Sequence, residues 1–158
     1  MDTLDYKILE CLKHNARQKA SAIGEKINLS VSAVIERIRK LENAGIISGY
    51  TVEVDMKKLG QDVTAFMEIG LEHPKYYDSF TQAIKNNPNI ISCYYLTGDY
   101  DFLIKIVTDS SDSLEMLHRH LKSLDGVQST RTHIVLKNIK NDYVMIPETD
   151  RQQGAGTD

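Results

Sequence analysis

Scarce features narrow this sequence first. It holds only two cysteines in 158 residues, Cys11 and Cys93, and neither has a second Cys or a His at metal-ligand spacing. Each sits in an apolar-periodic segment and reads as a small buried hydrophobe. No apolar run approaches the ~18 residues that a membrane helix needs. The opening residues Met1-Asp2-Thr3-Leu4-Asp5 are acidic and lack the basic-then-apolar layout of a secretory signal, so the expected location is the cytoplasm. There is no Ser-His-Asp or Cys-His arrangement, no HExxH, no phosphate-cradling glycine loop and no repeat of solenoid length.

What remains is an ordinary globular composition, 41% hydrophobic and 26% charged, on a chain long enough for one domain or two small linked ones. The net charge of −3 hides an asymmetry. Residues 1–50 carry eight Lys/Arg (Lys7, Lys13, Arg17, Lys19, Lys26, Arg37, Arg39, Lys40) against six Asp/Glu, whereas the remainder carries eleven against sixteen. A basic head on an acidic body suits a nucleic-acid-binding module joined to something else.

The first third reads as three short helices. Leu4, Ile8, Leu9 and Leu12 recur at helical spacing, with Asp5 favouring the helix N-terminus. Ala20, Ile23 and Ile27 share a second face. Ser30 is a good N-cap for a third segment bearing Val34, Ile38 and Leu41, and Gly45 supplies its stop. Between the second and third lie a small residue (Gly24), a residue tolerant of left-handed backbone (Asn28), an apolar plug (Leu29) and the Ser30 cap. Together they form the skeleton of a helix-turn-helix. With Val34, Ile38 and Leu41 inward, Ser32, Glu36, Arg39, Lys40 and Asn43 turn outward, flanked by Ala33 and Arg37. That face has either of two readings: a recognition helix, with short residues near base edges and cations for phosphate, or an ordinary solvated helix face.

The rest reads as β-α-β-β-α-β. Residues 63–71 alternate, with Val63, Ala65, Met67, Ile69 and Leu71 on one face. Pro74 opens a helix with Tyr77, Phe80 and Ile84 inward. Ile90–Leu96 and Phe102–Val107 form a hairpin about the turn Thr97-Gly98-Asp99-Tyr100. Asp112 and Glu115 resemble a capping box on a helix bearing Leu114, Leu117, Leu121 and Leu124, stopped by Gly126. A last strand is expected from Val127 to about Ile139. Such halves give a ferredoxin-like sheet with both helices on one face, leaving the other, with Phe66, Ile134 and Leu136, for a second copy. The expected fold class is therefore α+β. Residues 1–48 make a winged helix-turn-helix, 49–62 a linker strand, 63–146 the βαββαβ domain, and 147–158 a disordered tail.

These residues carry a resemblance. Asp5-Tyr6-Lys7-Ile8-Leu9, Asn28-Leu29-Ser30 and Glu36 through Ile47 resemble the DNA-binding half of the Lrp/AsnC (feast/famine) regulators. Thr97-Gly98-Asp99-Tyr100-Asp101-Phe102-Leu103, Asp125-Gly126-Val127 and Thr130 through Val135 resemble their effector domain. The match runs in order from about residue 4 to 140. It implies a transcriptional regulator rather than an enzyme, bound to double-stranded DNA in the nucleoid, with no cofactor and no membrane partner. It also implies homodimers, often assembled into octamers, and a small effector, usually an amino acid. The implied DNA-binding residues are Ser30, Ser32, Ala33, Glu36, Arg37, Arg39 and Lys40, with Arg37, Arg39 and Lys40 on phosphate. The implied effector residues are Gly98, Asp99, Tyr100 and Asp101 on the turn and Gln128, Ser129 and Thr130 on the facing strand. A Gly-containing turn can hold a carboxylate on its N–H groups, and Asp99 or Asp101 can pair with an ammonium; a simple hairpin turn is the alternative.

The chain departs from the family pattern at three places. Lys19 stands where Ser or Thr usually caps the second helix, Asn28 where glycine is common, and Glu36 on the proposed DNA face repels phosphate but can accept from a cytosine amino group. Two rival functions share the architecture. One is a sirohaem decarboxylase, which needs converging histidines; here His118 and His120 diverge on one helix and His133 lies on a strand, all expected at the surface. The other is a nucleoid organiser that coats DNA with little sequence preference.

Overall fold

The computed structural model describes residues 1–147; the expected tail, Pro147 apart, lies outside the described residues. The described residues divide into two compact units, one of Met1–Glu53 with residues 140–147, the other of Val54–Ile139.

The first unit holds α1 (Thr3–His14), α2 (Ala20–Ile27) and α3 (Val31–Asn43). Asp2 caps α1 in a reciprocal box with Asp5, which satisfies orphan N–H groups at its start. Ile8, Cys11, Ile23, Val34 and Leu41 form a buried core, with Leu12, Ile27, Leu29 and Ile38 packed around it. The turn between α2 and α3 is as expected. Asn28 adopts the left-handed conformation (φ 57°, ψ 49°), and Ser30 accepts a hydrogen bond from the Ala33 N–H. A side chain at Gly24 would collide with the backbone carbonyl of Leu29, so the turn closes only over a hydrogen. Lys19 makes no side-chain cap.

After α3 no strand forms within this unit among the described residues. The Tyr50 hydroxyl instead donates to Glu42 Oε1 at 2.8 Å, tying the segment that follows to α3. The linker strand expected over 49–62 is likewise absent. That stretch holds only a 3-10 turn at Lys57–Leu59; an extended segment becomes a strand only when it pairs with another, and the four strands of the sheet pair only among themselves.

The second unit contains β1 (Val63–Leu71), α4 (Tyr77–Lys85) after a 3-10 turn at Pro74–Tyr76, β2 (Ile90–Tyr95), β3 (Phe102–Thr108), α5 (Ser111–Lys122) and β4 (Val127–Ile134). The sheet order is β2-β3-β1-β4, antiparallel throughout, which is the expected ferredoxin-like arrangement. Ala65, Met67 and Ile69 of β1 and Phe102, Ile104 and Ile106 of β3 meet Phe80, Ile84, Leu114, Leu117 and Leu121 from the helices. Each of the side chains larger than Ala65 contributes roughly 1.5–3 kcal/mol on burial.

Five local expectations are corrected. β4 stops at Ile134 rather than Ile139, since its one neighbour, β1, begins at Val63; the last rung is Val135 N–H to Thr64 O at 2.8 Å. Ile134 pairs with Ala65 and so belongs to the helix side, whereas Phe66, in register with Lys105 and His133, is on the open face. Leu136 lies past the strand and is 96% exposed. α5 is capped by Ser110, whose hydroxyl accepts from the Ser113 N–H, and not by an Asp112–Glu115 box. Cys11 is buried as expected, but Cys93 is exposed on the edge strand β2.

Candidate DNA-binding face and effector site

In the first unit, α3 presents its polar side to solvent because Val34 and Leu41 anchor the opposite side in the core. Ser30, Ser32, Glu36, Arg39 and Lys40 are exposed and Ala33 is half-buried. Ser30 and Ser32 hydroxyls lie 3.1 Å apart at the helix N-terminus, where N–H groups and the dipole favour an anion such as phosphate. Arg39 and Lys40 have no ion-pair partner among the described residues.

Arg37 is different. Its Nη1 donates to Asp2 Oδ2 at 2.8 Å and to Asp5 Oδ1 at 2.7 Å. The hydrogen bond from Asp5 N–H and then the Arg37 guanidinium hold the Asp2 carboxyl below its ordinary range, and the two carboxylates raise Arg37 in turn. The guanidinium expected on phosphate is thus engaged in joining α3 to the start of α1. No local pattern reveals this, because the partners lie 32 and 35 residues away. Sequence reasoning also passed over Val31 and Ile35, exposed on the same helix.

In the second unit the expected effector residues gather around the end of the sheet, but not as one cluster. Gly98, with φ +123°, and Asp99 lie exposed at the tip of the β2–β3 turn. Tyr100 turns its ring back over Gly70 of β1, across from Ser129. A side chain at Gly70 would come within 2.5 Å of Ser129 Oγ, so this glycine lets Tyr100 and Ser129 share the same space. The Arg131 guanidinium stands 5.4 Å from the Tyr100 ring centroid. Gln128 is exposed, while Thr130 points to the other side, its hydroxyl 3.3 Å from His118 Nε2.

Asp101 ties the turn to the sheet. Its Oδ2 accepts from the Leu71 N–H at 2.6 Å, and its own N–H donates to Ile69 O at 3.0 Å. Beside it opens a cleft of about 310 Å³ lined by Leu71, Pro74, Tyr77, Tyr95 and Asp101. The rings of Tyr77 and Tyr95 meet edge to face at 5.3 Å, and both stand on Phe102. Pro74, Tyr77 and Tyr95 were not anticipated as lining; Gly70 had a sequence signal, since a glycine inside a strand marks a close approach. The histidines do not converge. His118 meets Thr130, and His133 lies 3.3 Å from Glu68 on the open face. Among the described residues no group of three or more His, Cys, Asp or Glu is placed to hold a metal.

A capped helix with an exposed polar face in one unit and a small α/β sheet with a cleft in the other define a helix-turn-helix regulator with a ligand-binding domain. Residues 1–48 match the family model described as winged helix-turn-helix DNA-binding, and residues 64–145 match that of the Lrp/AsnC ligand binding domain. The chain belongs to the Lrp/AsnC family. It is 36% identical over 139 residues to the regulatory protein AsnC of Escherichia coli, covering 87% of this chain and 91% of that one. It is equally identical, over 88% of this chain and 94% of the other, to the HTH-type transcriptional regulator LrpC of Bacillus subtilis. The solved E. coli AsnC structure superposes with a TM-score of 0.84 over 93% of this chain and 99% of that chain, at 34% identity. A Neisseria meningitidis regulator in complex with L-Met aligns with a TM-score of 0.87 over 92% of this chain and 96% of that chain, at 27% identity. The protein is a DNA-binding transcriptional regulator and not an enzyme, which sets the tetrapyrrole reading aside.

Proposed function

We propose that this regulator takes a free amino acid as its effector, bound in the cleft beside the Gly98–Asp101 turn. The observation that carries the reading is the cleft itself. Its volume of about 310 Å³ falls at the small end of the ~300–1,000 Å³ usual for ligand pockets. The Asp101 carboxylate, with one oxygen on Leu71 N–H, keeps its other for an ammonium, and Tyr77 and Tyr95 offer aromatic walls to a side chain. The L-Met bound to the N. meningitidis relative supports the ligand class. Tyr100, Ser129 and Arg131, gathered over Gly70, supply a second set of polar groups at the same end of the sheet, with Gly98, Asp99, Gln128 and Thr130 at its border.

The test is thermal unfolding of the full chain with each of the twenty amino acids. One or a few should raise the midpoint, by linkage. Asp101→Asn, which keeps an acceptor for Leu71 N–H but removes the charge, should abolish that rise. A rise that survives in Asp101→Asn and in Tyr95→Leu moves the effector elsewhere; no rise with any amino acid ends the proposal.

On DNA, α3 enters the major groove with Ser30, Ser32, Ala33 and Glu36 nearest the bases and Arg39 and Lys40 on phosphate. Arg37 holds α3 against α1 and so acts through the helix it positions. Two copies, joined through the open sheet face around Phe66 and Leu103, place two such helices on a two-fold related site, and larger assemblies such as octamers build on that dimer. The regulator works in the cytoplasm, at the nucleoid.

A further inference from the structure

α3 carries two exposed rows, not one. Residues four apart align along a helix face, so Ser32, Glu36 and Lys40 form a polar row, and Val31, Ile35 and Arg39 form a second row beside it. Val31 and Ile35 are 45% and 44% exposed, and neither belongs to the buried core or to the side chains packed around it. Branched side chains at Cβ are mildly unfavourable in a helix and gain little where they face water. Their place in the N-terminal half of α3, ahead of the cation Arg39 on the same row, is where a helix approaches the floor of a groove while its cations reach the rim.

We propose that Val31 and Ile35 read thymine through its 5-methyl group. Double-stranded DNA is the occupant the charges favour, because the same face bears Arg39 and Lys40 without carboxylate partners among the described residues. Of the four unmodified base edges in the major groove only thymine presents a methyl, and an apolar side chain is its natural contact. The stiff χ1 of valine and isoleucine fixes where that contact falls. Glu36, on the neighbouring row, can accept from a cytosine amino group. The inference rests on the DNA-binding role of α3 and adds to it which bases the helix selects and by which side chains.

The test uses the full-length protein and a duplex selected by it from a random library. Each thymine of that duplex is replaced in turn by uracil, which keeps base pairing and removes only the methyl. At one or two positions per half-site the wild-type protein should bind the uracil duplex about fourfold more weakly, as expected for one lost methyl contact. Val31→Ala and Ile35→Ala, which favour the helix and leave the core untouched, should bind thymine and uracil duplexes alike at those positions. Their circular dichroism and melting should match wild type.

A selected duplex with no uracil-sensitive thymine overturns the methyl contact and leaves the regulator reading standing. Variants that keep the wild-type thymine-to-uracil ratio overturn the assignment to these two residues. If the substitutions instead shift the sedimentation coefficient with the ratio unchanged, the pair serves contact between copies. Selection that enriches no sequence, with DNA still bound, removes any base-reading role for the helix.

Discussion

At the scale of single residues, Arg37 changes the reading of the DNA face most. Its bonds to Asp2 and Asp5 make it a brace between α1 and α3, so Arg37→Gln should lower the thermal midpoint of the first unit while leaving the salt dependence of DNA binding nearly unchanged. A clear flattening of the salt slope would return Arg37 to phosphate. The brace also has a pH signature. The Asp2 carboxyl is depressed in the fold, so its contribution is present above the unfolded value of about 3.9 and is lost as pH falls through the lower folded value. Denaturant unfolding followed by circular dichroism should therefore show the first unit losing some stability as pH falls below about 4, with a smaller acid-dependent loss in Arg37→Gln. Gly24 gives a sharper expectation. Gly24→Ala forces a methyl against the Leu29 carbonyl and should cost about 1–3 kcal/mol by denaturant unfolding. Gly24, Asn28 and Ser30 were legible in the sequence because their roles are local backbone chemistry. The Arg37 brace was not, since an ion pair between distant segments leaves no periodic trace.

At the scale of elements, periodicity placed every helix and strand of the second unit, and the misses fall at ends. The apolar run continues past Ile134 in Val135 and Leu136, but a strand persists only while its neighbour does, and β1 has ended by then. The start of α5 was misplaced for a related reason. Two candidate caps lie two residues apart, and the one used is set by where β3 releases the chain at Thr108, whose hydroxyl donates to Ser110 O at 3.0 Å. Ser110→Ala should accordingly cost about 1 kcal/mol, whereas Asp112→Ala should change stability by less than about 0.5 kcal/mol. Equal losses in the two variants would contradict the assignment of Ser110 as the cap. The Gly98–Asp101 turn was legible as a turn. The cleft beside it was not, because Tyr77 and Tyr95 come from a helix and an edge strand that only the folded sheet brings together.

At the scale of the whole molecule, the basic first third and acidic remainder separate DNA attachment from sensing. Arg39→Ala with Lys40→Ala should weaken binding to all duplexes and reduce the salt slope by up to about two; unchanged binding would remove α3 from the groove. Footprinting distinguishes a local regulator, protecting a few discrete sites, from an organiser that coats DNA throughout. The open sheet face carries half-buried Phe66 and Leu103, and Phe66→Asp should shift sedimentation toward the monomer if copies meet there.

Gly126 bears on how such a protein is free to vary. It holds φ +83°, and a side chain there would run into the ring of Tyr76, while its carbonyl accepts from the Glu72 N–H at 2.8 Å. The two positions are therefore not independent in descent. A lineage that trims residue 76 removes the ring but leaves its Cβ 2.6 Å from where a side chain at 126 would begin, so the corner relaxes only in part, whereas one that changes 126 first meets the full collision together with the strain. Exchange at this corner has a preferred order, with the tyrosine going before the glycine.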